Sequence, residues 1–308
     1  MTSSPSLFFK KNLKKTKTSK GYLFSFLLLS PLFIWMFSRT IYPLIEALRL
    51  TFFELKLAGG GFVYVGTYNW LYLFKDENLP TILVNTMFFS GSTVIFGILL
   101  SLGIALVLNE DFKGKTILKA VLIVPWAIPG IVTGLIWQWI FSAEYGIVNG
   151  ILLKLNLISS RIYWFQDPLL SMTICIIGTV WQSAPFLSLM LWAALQMIPQ
   201  HLYDAAKVDG ASAFQRFLNI TLPGIKLPLF FAVILHTINS FKAFDIIYKL
   251  TKGGPGIATK VLYYYTWETG FVAWSLGYAT VLGVIVFVIC FILTLFYLRS
   301  FRPKFEAA

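Results

Sequence analysis

Met197-Ile-Pro-Gln-His-Leu-Tyr-Asp-Ala-Ala-Lys-Val-Asp-Gly-Ala-Ser-Ala-Phe-Gln-Arg-Phe-Leu-Asn-Ile-Thr-Leu-Pro223 separates two apolar runs, 169–195 and 227–248. Each flanking run is long enough to cross a bilayer core, which takes about 20 apolar residues in a helix. Within the quoted stretch Pro199 sets up a helix start. Leu202, Ala205, Ala206 and Asp209 fall at i, i+3, i+4 and i+7 and share one small-residue face. Gly210 closes that helix with a residue free to take positive φ. Ala211, Phe214, Phe217 and Leu218 open a second amphipathic stretch, predicted to end before Pro223. A helix lying on lipid would explain the amphipathicity. A small-faced helix closed by glycine suits docking in a groove of a partner protein better.

Outward from this segment the chain is a series of apolar runs. Of its 308 residues 57% are hydrophobic and only 12% charged, with a mean hydropathy of +0.76. An ordinary globular protein carries roughly 25% charged residues. Six stretches are long and apolar enough to span, at 22–42, 84–108, 117–140, 169–195, 227–248 and 277–298. Backbone polar groups in lipid must be satisfied within the chain, so each is read as a helix. The predicted class is an all-α polytopic membrane protein; the breadth of the runs excludes the alternating pattern of an outer-membrane barrel.

The net charge of +12 is distributed unevenly. Fifteen Lys and Arg fall in the N-terminal tail, the 109–119 loop, the 196–228 loop and the C-terminal tail, and eight fall in the loops opposite. By the positive-inside rule both termini are expected in the cytoplasm. No cleavage site follows the first run, so it is expected to remain as a span. The organisation expected is a disordered basic tail over 1–20, a transmembrane domain over 21–300 carrying the 197–223 loop, and a cytoplasmic tail over 301–308. The loops at 49–80, with a Gly59-Gly60-Gly61 turn, at 141–168, with a short helical pattern around Ile147–Leu157, and at 249–260, with a Gly253-Gly254-Pro255-Gly256 turn, face outside.

Several chemistries are excluded. Gly114-Lys115-Thr116 looks like the end of a phosphate-binding loop, but Asn109 stands where that motif needs its first glycine. His201 and His236 are the only histidines and belong to different sides of the membrane plane, and metal-ligand spacing is missing. Cys175 and Cys290 both lie in apolar runs. No enzyme activity, metal or cofactor is expected, and with the positive charge absorbed by orientation, neither is nucleic acid.

Polar residues inside spans are costly and point to function. His236 lies ten residues beyond Lys226, about 15 Å along a helix and hence near the midplane. His236, Asn239, Ser240 and Ala243 share one face of the fifth run; Thr179, Gln182, Ser183 and Phe186 repeat that spacing in the fourth. Two such stripes suit a hydroxyl-rich cargo, whose hydroxyls need replacement hydrogen bonds once out of water. The plainer alternative is adhesion between packed helices. Lys242 with Asp245, and Asp245 with Lys249, have the spacing of ion pairs; pairing is expected rather than a proton relay. The expected path is lined by uncharged polar groups.

The run Asp204-Ala205-Ala206-x3-Gly210-x9-Ile220-x-Leu222-Pro223 resembles the EAA motif of ABC importer permeases, with Asp204 in place of the usual Glu. Pro125-Trp126-Ala127-Ile128-Pro129, Gly134-Leu135-Ile136-Trp137-Gln138-Trp139, Tyr145-Gly146-Ile147-Val148-Asn149, Leu250-Thr251-Lys252-Gly253-Gly254-Pro255 and Gly277-Tyr278-Ala279 narrow the likeness. In order and spacing they are similar to the carbohydrate-type permeases (MalF/UgpA/LacF-like) in their compact six-span form. The resemblance implies a type I ABC importer permease fold. It assigns Asp204, Ala205, Ala206, Asp209, Gly210, Ala211, Phe214, Ile220, Leu222 and Pro223 to the helix that seats in a separate ATPase subunit. It also places the cargo path at Thr179, Gln182, Ser183, Phe186, His236, Asn239, Ser240 and Ala243. The partners implied are a second homologous permease, two ATP-binding subunits and an extracytoplasmic solute-binding protein delivering a sugar, polyol or glycerol-3-phosphate. A secondary transporter driven by ions through His236 and Asp245 would leave the 204–223 segment unexplained, and an assembly protein without transport would tolerate polar substitutions at Gln182 and Asn239.

Overall fold

The computed structural model describes residues 19–56 and 60–300. The tail expected over 1–20 therefore lies outside the described residues except for Ser19 and Lys20, as do the C-terminal tail at 301–308 and Gly59 of the glycine turn. The chain divides into two units, 1–49 and 50–308. In the first, α1 (Ser19–Met36) passes through a wide turn at Phe37–Ile41 into α2 (Tyr42–Leu50), and Phe24–Leu50 is apolar and long enough to cross a membrane.

The second unit opens with strands β1 (Phe53–Lys56) and β2 (Gly61–Tyr64), paired antiparallel with Phe53 opposite Tyr64. The all-α expectation omitted this hairpin. It is followed by α3 (Tyr68–Tyr72) and the long α4 (Leu79–Asn109). The third run is not one helix. It comprises α5 (Lys115–Leu122), α6 (Val124–Ala127) and α7 (Gly130–Ile140), and the chain turns by 99° between the part ending at Ala127 and the part starting at Gly130. Pro129 explains the break: it offers no N–H to a continuing helix, and it disfavours helical geometry at Ile128, whose ψ is 130°. A short helix α8 (Ile147–Lys154) follows, as the 141–168 pattern indicated. Its Asn149 is buried and ties the loop together, donating to the carbonyls of Ala143 and Ile162 and accepting from the Trp164 indole.

α9 (Pro168–Leu195) packs along α4 and is the most buried of the spans. Asp167 caps it through Leu170 N–H at 2.8 Å. α10 (Gln200–Val208), α11 (Ala213–Arg216) and α12 (Leu222–Gly224) form the quoted loop. α13 (Lys226–Phe241) and α14 (Asp245–Leu250) make up the fifth run, interrupted at 242–244. α15 (Leu262–Trp267) and α16 (Leu276–Ser300) complete the chain. With the bent pair taken as one span, six segments qualify as spanning by length and composition.

Apolar clusters lie at different levels of this unit. One joins Phe89, Cys175, Ile246 and Tyr264, and another joins Ala105, Leu191 and Ile225 near the 197–224 loop. At the opposite end, Asp76 is buried and accepts hydrogen bonds from Tyr265 (2.7 Å) and Tyr278 (2.6 Å). Burial, then the carboxylate beside it, pushes the Tyr265 phenol well above its ordinary range, so it stays a donor.

Candidate functional site

Two regions gather the residues singled out from the sequence. The first is a cavity of about 460 Å³ where α9, α13, α14, α15 and the start of α7 meet. Thr179, Gln182, Ser183, His236, Asn239, Ser240 and Ala243 all line it. Phe186 does not; its ring stacks on Trp126 at 5.1 Å and is partly exposed. Ala243 reaches the lining by another route than expected. α13 ends at Phe241, so Ala243 belongs to the turn between helices and not to a continuous helical face.

Three of these polar groups, Gln182, His236 and Ser240, already join separate segments. His236 is 3% exposed, and its Nε2 lies 3.0 Å from the Thr93 carbonyl of α4, a contact in which the ring N–H donates. Thr93 donates to Ser240 Oγ at 3.0 Å, and Ser240 in turn donates to the His236 carbonyl at 2.8 Å. Close approach here depends on Gly97: a Cβ at that position would stand 2.4 Å from His236 Nε2. Thr179 and Ser183 donate back to carbonyls four residues earlier in α9. Their hydroxyls retain acceptor lone pairs for a ligand. Gln182 donates from Nε2 to the Ile128 carbonyl at 2.7 Å, satisfying a backbone acceptor freed by the break at Pro129. Its amide oxygen is left for other donors. Asn239 is exposed to the cavity.

The cavity also holds residues that the sequence reading left out. Gly130, Lys242, Phe244, Asp245, Ile246 and Tyr263 complete its lining. The expectation of a path without charges is corrected by Lys242 and Asp245, both exposed. So is the expected ion pairing: among the described residues Lys242, Asp245 and Lys249 form no salt bridge with one another. The interruption at 242–244 removes the helical register on which the i, i+3 spacing of Lys242 and Asp245 relied. Asp245 instead lies against the first residue of α7, where its Oδ2 would be 2.6 Å from a Cβ on Gly130. A carboxylate at this helix start is favoured by the helix dipole.

The second region is the 197–224 loop. α10 starts after Pro199 and ends at Val208; Asp209 caps it and Gly210 follows at φ +76°. Asp204 is exposed, 3.4 Å from Lys207 Nζ. Asp204, Ala205, Asp209, Gly210, Phe214 and Pro223 are exposed, whereas Ala206, Ala211, Ile220 and Leu222 are partly covered. The second stretch does not stop before Pro223. A wide turn at Phe217–Thr221 carries it into α12, which ends at Gly224; widening the turn spares the backbone bond that Pro223 cannot donate. Ser212 and Gln215 form a reciprocal cap, with Ser212 N–H to Gln215 Oε1 at 2.7 Å. The Ser-x-x-Gln spacing was the signal for it. Tyr203 and Thr221 hydroxyls meet at 2.9 Å and hold α10 to the second stretch. A groove of about 400 Å³ runs beside them, lined in part by Pro199, Leu202, Ile220 and Pro223. Phe214 is 69% exposed and Val208 88%, although both are apolar.

A family model described as binding-protein-dependent transport system inner membrane component matches residues 94–304. The chain is 35% identical over 283 residues to a sulfoquinovosyl glycerol transport system permease protein of Agrobacterium fabrum, covering 92% of this chain and 91% of that one. It is 38% identical over 242 residues to a trehalose/maltose transport system permease protein of Thermococcus litoralis, covering 78% and 80%. Among solved structures, a chain of a bacterial ABC transporter involved in import of the acidic polysaccharide alginate superposes with a TM-score of 0.80 at 25% identity, over 93% of this chain and 97% of that chain.

Proposed function

This chain belongs to the family of binding-protein-dependent transport system inner membrane components, and we propose that its polar cavity passes a sugar across the membrane under the control of its 197–224 loop. It is a permease subunit of an ABC importer for sugars, a multi-pass membrane component and not an enzyme. An importer of this kind works with a binding protein and an ATPase. In the arrangement we favour, a second homologous permease faces this one, two ATP-binding subunits seat on the two coupling loops, and both termini lie in the cytoplasm with those subunits.

The observation that carries this reading is the cavity, where seven polar or small positions from separate runs meet; its volume falls in the range of about 300–1,000 Å³ usual for small-molecule sites. The loop supports it independently. Its apolar side chains Phe214 and Val208 are exposed, and the same loop carries a preformed groove, features of a surface covered by a partner. α13 connects the two regions directly. Its 16 residues span about 24 Å, from Lys226 just past the loop to Phe241 beside the cavity. Movement of the loop by an ATPase would be delivered along this helix to His236, Asn239 and Ser240.

The test is ATP-driven sugar uptake and sugar-stimulated ATP hydrolysis by the complex assembled in liposomes with its binding protein and ATPase. Asp204→Lys or Gly210→Pro is expected to abolish both while the chain still inserts and assembles with its partner permease. Normal ATP-coupled uptake by either variant, or uptake by the wild type without any ATPase, would refute the proposal.

A further inference from the structure

We propose that Lys242 selects for cargo bearing an anionic substituent, such as a carboxylate, sulfonate or phosphate carried on the sugar; this rests on the cavity being the cargo path.

Two side chains with basic nitrogens line the cavity, His236 and Lys242, and they differ in availability. His236 is buried with its Nε2 on the Thr93 carbonyl. Lys242 is exposed, and among the described residues it has no carboxylate within ion-pairing distance. Of the nearby acids, Glu268 holds Lys260 at 2.6 Å, and Asp245, which lines the same cavity, has its carboxylate beside Gly130 at the start of α7 and out of ion-pairing distance of Lys242.

Lys242 also borders a second groove between α13 and α16, but that groove is lined almost wholly by apolar side chains such as Val286, Phe287 and Phe291. An ammonium gains nothing there, whereas its aliphatic stem packs well. The stem on the apolar side and the charge toward the polar cavity is the arrangement that costs least. An unpaired charge within a spanning segment is expensive, and a ligand that pairs with it recovers that cost at the moment of binding. An anionic group on Lys242 leaves the sugar hydroxyls facing Asn239, the free oxygen of Gln182 and the hydroxyls of Thr179 and Ser183.

The test is equilibrium binding to the assembled transporter in nanodiscs, without binding protein, using methyl glucoside and methyl glucuronide as probes of equal size. The wild type is expected to favour the glucuronide by about tenfold, the effect of one charge-assisted hydrogen bond. Lys242→Gln is expected to erase that preference, so that the two probes bind within about twofold of each other, and Lys242→Arg to keep it. Equal or tighter glucoside binding by the wild type, or an undiminished preference in Lys242→Gln, overturns the proposal and leaves the sugar path standing. Binding of neither probe, together with failed sugar uptake, overturns both.

Discussion

Replacing Gly97 by alanine tests the joint between α4 and α13 that shapes the cavity. The added Cβ would stand 2.4 Å from His236 Nε2 and 3.0 Å from its Cδ2, where ordinary contact begins at 3.4 Å. The ring must retreat by about 1 Å, and its hydrogen bond to the Thr93 carbonyl is then lost or lengthened. Overpacking of this kind costs about 1–3 kcal/mol, and the buried hydrogen bond adds about 1 kcal/mol. A total of about 2–4 kcal/mol corresponds to a fall of about 5 °C or more in melting temperature. Unfolding can be followed with a thiol-reactive dye in a Cys290→Ser background, because the remaining Cys175 is fully buried in the apolar core and reacts only when the helices separate. Removing the obstacle should relieve the clash. In Gly97→Ala/His236→Ala the alanine Cβ meets no imidazole, so the pair is expected to be less damaging than the sum of the single changes, by about 1–3 kcal/mol. Additive losses, or an unchanged melting temperature for Gly97→Ala, would refute the geometry.

Two further substitutions probe the other joints. Gln182→Leu orphans the Ile128 carbonyl at the bend in the third run and should cost about 1–3 kcal/mol, read as a lower melting temperature with sugar uptake reduced; Gln182→Glu, which keeps the size but offers no donor, should behave alike. Ser212→Ala removes the cap of α11 and should cost about 1 kcal/mol locally. Amide exchange would then accelerate at Ala213–Arg216 while the spans retain their protection.

Much of the fold was legible because hydrocarbon imposes one solution on the backbone. Runs without charges had to be helices, and the ends of α9 and α16 lie within about two residues of the apolar boundaries read from sequence. The coupling loop was legible for a different reason. Pro199 and Gly210 are punctuation that works locally, whatever surrounds it, and they bracket α10 as expected. The hairpin at Phe53–Tyr64 escaped because its signal is a few alternating residues around glycines, against a chain that reads as helix nearly everywhere. Its position depends on a distant contact: a Cβ on Gly277 would stand 2.0 Å from the Phe53 carbonyl, a pairing across more than 200 residues that no local pattern encodes.

The cavity shows where periodicity ceases to be informative. Spacing assigns residues to one face only while a helix continues, and both walls of the cavity owe part of their lining to places where it stops. At Ile128–Pro129 the stop was announced by proline, yet what followed was not: the freed carbonyl is taken up by Gln182, turning a residue read as a ligand contact into a brace for the bend. At 242–244 there is no proline or glycine, only a lysine in an apolar run. A helix carried straight through would set Lys242 and Asp245 on neighbouring turns as an ion pair. Interrupted there, it sends the carboxylate to the start of α7 and leaves Lys242 without an acidic partner, so two charged residues stand in the cavity lining where a pair was expected. Spacing alone could not choose between these outcomes, because the choice depends on α7 presenting a glycine at its first residue, in a part of the chain more than 100 positions away.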